Sequence, residues 1–265
     1  MAPPDAPMTV KRFMEMKLAG QKITMVTAYD YPMARLADEA GIDGILVGDS
    51  LAMVVQGHET TLPATMEQML YHAEMVARAV RRALVVFDMP FMSYQLSLRD
   101  ALKNAGRVLK QTRCQAIKLE CGPNQADLVA ALVQAGIPVM AHLGLRPQSV
   151  RQMGGYMVQR NREQLLQDSR AVQEAGAFSI LLECIPADLA VQITASVQIP
   201  TIGIGAGAGC DGQIQVLHDL LGLTLDRLPR HAKAYTDLKT TILQALSQYC
   251  QEVRKGLFPT PEHSF

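Results

Sequence analysis

Five carboxylates stand where short apolar runs stop. Ile23 to Thr27 leads to Asp30, Ile45 to Val47 to Asp49, Leu84 to Phe87 to Asp88, Ala116 to Leu119 to Glu120, and Phe178 to Leu182 to Glu183. Runs of this length, rich in β-branched residues, read as buried strands. The second breaks off sharply, as Ile-Leu-Val-Gly-Asp-Ser over residues 45 to 50. A strand opening into a carboxylate and a hydroxyl is a common way to build an active site in an α/β protein. Taken alone, it reads first as a turn at Asp49 and a helix cap at Ser50. The repetition shifts the weight toward a site.

In a closed barrel of parallel strands, the C-terminal strand ends meet on one face. There the chain would gather Asp30, Asp49 with Ser50, Asp88, Lys118 with Glu120, His142, Glu183 and a glycine turn at 203–207. Crowded carboxylates repel unless a cation sits among them. With no cysteine or paired-histidine ligand set in view, the cation expected is Mg²⁺ rather than zinc. Lys118 and Glu120 are two apart, so both point the same way from one strand and can reach a common ligand. The plain alternative is a buried ion pair. His142 by itself reads as a core or capping histidine. A carboxylate at Glu183, beside a buried strand and not needed by the metal, is a candidate general base. Gly203, Gly205, Gly207, Gly209 and Gly212 would let backbone approach a ligand, as phosphate-binding turns after the seventh barrel strand do. A divalent cation chelated by a 2-oxo acid polarises its carbonyl, Lys118 adds a positive contact, and Glu183 takes the neighbouring proton. That is aldol-type or lyase-type carbon–carbon chemistry, with the electrophile left open.

The elements that must position these residues alternate along the chain. Val10 to Lys17 has the spacing of a short lead-in helix. The fifth strand is expected at Pro138 to Ala141, the seventh at Pro200 to Ile204, and a weak eighth at Leu220 to Leu223. Helices are expected over Pro32 to Ala40, Met66 to Val80 behind a Thr65 cap, Leu98 to Gln111 behind a Ser97 cap, Asn124 to Gln134, Arg162 to Ala175, Ala187 to Ser196, and within Thr236 to Gly256. Residues 51–64 and 144–161 read as long links. This alternation implies a parallel sheet. No break in composition divides the chain, so residues 1–265 are expected to be one domain, with tails at 1–8 and 257–265. No GxGxxG follows the first strand, which counts against a doubly wound dinucleotide-binding sheet. The expected fold is a single (βα)8 TIM barrel, with an open doubly wound sheet as the alternative.

The bulk composition narrows the partners. Among 265 residues, Lys plus Arg is 25 and Asp plus Glu is 25, so nothing favours nucleic acid or an anionic membrane. No stretch of about 18 apolar residues is present. The five cysteines form no CxxC pattern, and with an N-terminus lacking an apolar signal core they imply reduced thiols and a cytoplasmic protein.

The motifs, taken in order, resemble the ketopantoate hydroxymethyltransferase family. They are Thr27-Ala-Tyr-Asp-Tyr31, Val47-Gly-Asp-Ser50, Gln56-Gly-His58 with Thr61-Leu-Pro63, Asp88-Met-Pro-Phe91, and Lys118-Leu-Glu120. They continue with His142-Leu-Gly-Leu145 and Pro147-Gln-Ser149, Gly154-Gly-Tyr156, Leu182-Glu-Cys184, Gly203-Ile-Gly-Ala-Gly207, Asp211-Gly-Gln213 and Glu262-His-Ser264. The resemblance implies a barrel of the phosphoenolpyruvate/pyruvate superfamily and transfer of a hydroxymethyl group from 5,10-methylenetetrahydrofolate to 3-methyl-2-oxobutanoate. The product would be 2-dehydropantoate, for pantothenate and coenzyme A. It implies Mg²⁺ on Asp49 and Asp88, with Glu120 completing the shell directly or through water. The 2-oxo acid would chelate the metal and contact Ser50 and Lys118, Glu183 would be the proton acceptor, and His142 would stand in the active site. The family is cytoplasmic and assembles as a decamer of two pentameric rings. Met157 stands where the family usually has a basic residue, and Arg160 offers a charge displaced along the same loop. Gln215 and His231 stand where apolar residues are usual. The alternatives are a lyase of the same superfamily, against which the missing Lys-Lys-Cys-Gly-His type loop counts, and a scaffold that only keeps the barrel.

Overall fold

The structure is a computed structural model that describes residues 6–122, 125–225 and 227–265. By packing, the chain divides into two compact units, Met1–Gln215 and Val216–Phe265. The first holds a closed barrel in which β1 to β8 pair in sequence order and β8 pairs back with β1, all parallel.

A lead-in helix α1 (Val10–Leu18) precedes β1 (Ile23–Thr27), α2 (Tyr31–Glu39) and β2 (Gly44–Val47). A single turn α3 (Leu51–Val54) and α4 (Met66–Ala79) follow, then β3 (Leu84–Asp88), α5 (Leu98–Gln111), β4 (Ala116–Glu120) and α6 (Ala126–Gln134). β5 (Val139–Gly144), α7 (Arg162–Glu174), β6 (Ser179–Glu183), α8 (Ala187–Ser196), β7 (Thr201–Ile204) and β8 (Gly212–Gln215) complete the barrel. The expected starts hold: Thr65 and Gln68 form a reciprocal capping box, and the side chains of Ser97 and Asn161 accept from Asp100 and Gln164 backbone N–H groups. The start expected at Asn124 lies outside the described residues; α6 begins at Ala126.

Two expectations are corrected. The link 51–64 opens with the turn α3, and the link 144–161 contains a short 3₁₀ turn, Pro147–Ser149. The eighth strand is Gly212–Gln215, while Leu220 ends the short helix α9 (Leu217–Leu220) of the second unit. β8 has one large apolar residue, Ile214, and is fixed by pairing: Ile23 to Val26 face Gly212 to Gln215. Gly212 lets it lie close, since a Cβ there would come within 2.5 Å of the Ile23 carbonyl oxygen.

Helix α1 caps the N-terminal end of the barrel. Phe13 is fully buried and meets the Phe178 ring edge-on at 5.8 Å. Both belong to one apolar cluster with Met25, Leu46, Leu84, Met140 and Ile202. Lys17 Nζ donates to the carbonyls of Thr194 and Ile199 and to Asp211, pinning the other side of the helix. Asp38, at the end of α2, accepts the backbone N–H groups of Arg81, Arg82 and Ala83 and so fixes the lead into β3.

The second unit carries α9 and the long helix α10 (Leu238–Arg254), which starts on an Asp237 cap. No described helix is long and apolar enough to cross a membrane.

Candidate active site

The C-terminal ends of β2 to β6 bring most of the expected residues together. Asp88 on β3 is the register partner of Lys118 on β4, and Glu120 on β4 is the partner of His142 on β5. Lys118 Nζ lies 2.7 Å from Asp88 Oδ1 and 3.2 Å from His142 Nδ1. His142 Nε2 in turn lies 3.2 Å from Glu183 Oε2 on β6. The four side chains thus form a row across four adjacent strands. Glu183 is its most open member, with a side chain 17 % exposed against 2 % for Asp88.

Burial and charge set the protonation of this row. Burial pushes the Asp88 carboxyl up to about 7, against the pull of Lys118. It also drives Glu120 well above the usual carboxylate range, with Asp49 adding to the rise and Lys118 opposing it. For Lys118 burial works against the charge, but Asp88, Asp49 and Glu120 together outweigh it and hold the ammonium charged. His142 is lowered by burial and by the Lys118 charge, so the ring is neutral.

Ser50 stands at the N-cap position of α3 without capping it through its side chain, and its Oγ lies 2.8 Å from the Tyr29 hydroxyl. Asp49 is not a free turn residue. Its backbone N–H donates to Asp88 Oδ2, and its Oδ2 accepts from Gln148 Nε2 at 2.9 Å. Gln148 and Tyr94 are the residues that reading the sequence missed. Gln148 lies inside the Pro147-Gln-Ser149 motif, but a neutral side chain in a loop carries no period or charge to flag it.

Other expected residues do different work. Asp30 caps α2, accepting from the Met33 backbone N–H at 2.8 Å, and is removed from the group of metal-facing carboxylates. In the glycine turn, a Cβ on Gly207 would come within 2.5 Å of Ala187, and one on Gly209 within 2.4 Å of Val191. These glycines let the turn lie against α8, which accounts for them without a phosphate. Met157 and Arg160 are both exposed on the loop after the 3₁₀ turn, where the Tyr156 hydroxyl reaches Met53 Sδ at 3.7 Å.

The candidate Mg²⁺ ligands are Asp49, Asp88 and Glu120. Among the described residues, no three of the His, Cys, Asp and Glu side chains form a ready-made metal cage. Mg²⁺ does not need one, because it keeps several waters and is commonly held by one or two carboxylates plus substrate. Asp88 Oδ1 is buried with no donor aligned on it as a hydrogen bond, despite the nearby Lys118, and keeps lone-pair capacity. Hard oxygen donors with that capacity fit the ion.

The family model described as ketopantoate hydroxymethyltransferase matches residues 7–261. The chain belongs to the ketopantoate hydroxymethyltransferase family. It is 56% identical over 261 residues to the 3-methyl-2-oxobutanoate hydroxymethyltransferase of Carboxydothermus hydrogenoformans, covering 97% of this chain and 95% of that one. It is 56% identical over 257 residues to the enzyme of that name from Desulforapulum autotrophicum, covering 97% and 98%. Among solved structures it is similar to 2,3-dimethylmalate lyase, a PEP mutase/isocitrate lyase superfamily member, with TM-score 0.62 and 18% identity over 96% of this chain and 92% of that one. It is also similar to phosphonopyruvate hydrolase in complex with oxalate and Mg²⁺, with TM-score 0.63 and 14% identity over 97% and 93%. At those identities the likeness gives the chain its fold, a TIM barrel, and nothing finer.

Proposed function

We propose that this chain transfers a hydroxymethyl group from 5,10-methylenetetrahydrofolate to 3-methyl-2-oxobutanoate, forming 2-dehydropantoate for pantothenate and coenzyme A. The row from Asp88 through Lys118 and His142 to Glu183 is the observation that carries the reading, together with the family.

Asp49 and Asp88 would hold Mg²⁺, with Glu120 directly or through water, and the ion when bound polarises the 2-oxo acid's carbonyl. Lys118, kept charged by three carboxylates, gives the acid a fixed positive contact, and Ser50, braced by Tyr29, gives it a hydroxyl. His142 accepts on Nδ1 from the Lys118 ammonium, so the neutral ring carries its proton on Nε2, facing Glu183. That N–H lies 3.2 Å from Glu183 Oε2 and orients the carboxylate. Glu183 takes the proton from C3, and the C–H electron pair moves toward the carbonyl oxygen. Water adds to the methylene carbon of the folate and both of its carbon–nitrogen bonds break, so tetrahydrofolate leaves and a carbon at the formaldehyde level remains. The enolate carbon attacks that carbon, and its C=O electron pair takes up a proton to become the hydroxyl of the product.

The test is a coupled assay with 3-methyl-2-oxobutanoate, methylenetetrahydrofolate and Mg²⁺, read as 2-dehydropantoate. The first half-reaction is separable: the C3 proton of the acid should exchange with deuterated water without folate. Active, metal-loaded protein that exchanges nothing sinks the scheme. Glu183→Gln should lower exchange by about 100-fold or more while leaving metal binding intact. Family resemblance further supports a cytoplasmic homodecamer of two pentameric rings.

A further inference from the structure

We infer that Gln148 is the positioning residue that presents Asp49 and Glu120 to the metal. The inference rests on the Mg²⁺ reading above. Gln148 is 4 % exposed, and every hydrogen-bonding capacity of its side chain is used. Its Oε1 accepts from the Tyr94 hydroxyl at 2.7 Å and from Gln95 Nε2 at 3.2 Å. With both acceptor sites taken, the amide has one orientation, and Nε2 points at Asp49 Oδ2 and the Met89 carbonyl, both at 2.9 Å. Its backbone N–H donates to both carboxylate oxygens of Glu120, at 3.0 and 3.2 Å. The Tyr94 hydroxyl, having donated to Gln148, accepts from the Glu120 backbone N–H at 3.2 Å.

One residue from the loop after β5 thereby grips the ends of β2, β3 and β4. Its two grips on carboxylates are of different kinds. Asp49 is held through one oxygen only, and Asp49 Oδ1 accepts no hydrogen bond among the described residues. Glu120 is held by a single N–H shared between its two oxygens, which fixes the plane of the carboxylate without consuming either oxygen. Both arrangements leave lone pairs for a cation while setting the direction in which they point. A carboxylate free to rotate would lose that direction each time the ion left. Outer partners of this sort, lost singly, typically weaken metal affinity 10- to 100-fold.

The test is Mn²⁺ binding, by titration calorimetry and paramagnetic resonance, with 3-methyl-2-oxobutanoate present, beside thermal melting without metal. Gln148→Met keeps the length and removes every side-chain hydrogen bond; its dissociation constant should rise about 10- to 100-fold. Gln148→Glu keeps the shape but faces Asp49 with an oxygen, and should bind at least as poorly. Tyr94→Phe removes one of the two donors on the amide oxygen and the acceptor of the Glu120 N–H, leaving Gln95 on the amide, and should show a smaller loss. A purely structural role would lower the melting temperature while folded variants bound Mn²⁺ as tightly as the parent, and that result overturns the inference. If Gln148→Met does not fold, Tyr94→Phe decides: weaker binding supports the inference and unchanged binding overturns it. Parent protein that binds no Mn²⁺ even with the 2-oxo acid refutes the metal reading itself, a separate outcome.

Discussion

At the scale of single residues, the site uses burial to decide which groups are charged and which are reachable. The same logic governs the thiols. Burial pushes Cys114 and Cys184 up to about 11 and Cys121 up to about 12, while Cys250 is exposed. The thiolate is the reactive form, so iodoacetamide at pH 8 should label Cys250 first and leave Cys114 and Cys121 intact until the chain unfolds. Peptide mass spectrometry after timed quenching checks this; early labelling of Cys121 would mean that the strand end around Glu120 opens. The convergence of Asp49, Asp88, Lys118, Glu120 and Glu183 was legible in the sequence because a charge beside a buried run needs a reason, whereas a role for His142 entered only through the family resemblance. Asp30 misled because a helix-capping carboxylate and a metal-facing one have the same local sequence. Gln148 and Tyr94 were illegible because they act through contacts between residues 26 to 99 positions apart.

At the scale of elements, the barrel places side chains by register, and a few backbone positions protect that register. Gly144 ends β5 at φ 97° opposite Glu183, and a Cβ there would come within 2.2 Å of the Glu183 carbonyl oxygen. Gly144→Ala should therefore push β6 away and displace Glu183. The expected result is loss of C3 proton exchange of about 10-fold or more in a protein that still folds, since a misplacement of about 1 Å can cost 100-fold. Asp38 holds three backbone N–H groups in a buried setting. Asp38→Ala leaves them unpaired and should lower stability by about 2 kcal/mol or more in urea unfolding. Seven strands were legible because each is a compact apolar run. The eighth was not, because Gly-Gln-Ile-Gln becomes a strand only through its pairing with β1. Leu220 to Leu223 drew the eye with leucines that belong to a helix end.

For the whole molecule, closure at both the seam and the N-terminal end distinguishes this barrel from the open sheet that was the alternative fold. The seam is the β8 to β1 pairing, and the N-terminal closure is α1, with Phe13 at its centre. Phe13→Ala removes a fully buried ring and should cost about 3–5 kcal/mol, measured as a shift in the urea midpoint with little change in slope. The proposed decamer predicts a sedimenting mass about ten times 28.9 kDa; a monomer at assay concentration would refute that part of the proposal. The alternation that gave the barrel was plain in the sequence, because a parallel strand must be followed by a crossover. The division after Gln215 was not, because no shift in composition marks it.

The sealed N-terminal end has a kinetic consequence. With the N-terminal end of the barrel filled around Phe13, the 2-oxo acid and the folate of the proposed reaction would both approach from the C-terminal strand ends. Lys118, the proposed contact of the acid, is buried, while Tyr156 and Met157 on their loop are exposed. Guests that share one doorway queue by depth. For the proposed reaction, the small acid should therefore bind first and the bulky folate second; initial-rate and product-inhibition kinetics showing random order would refute this.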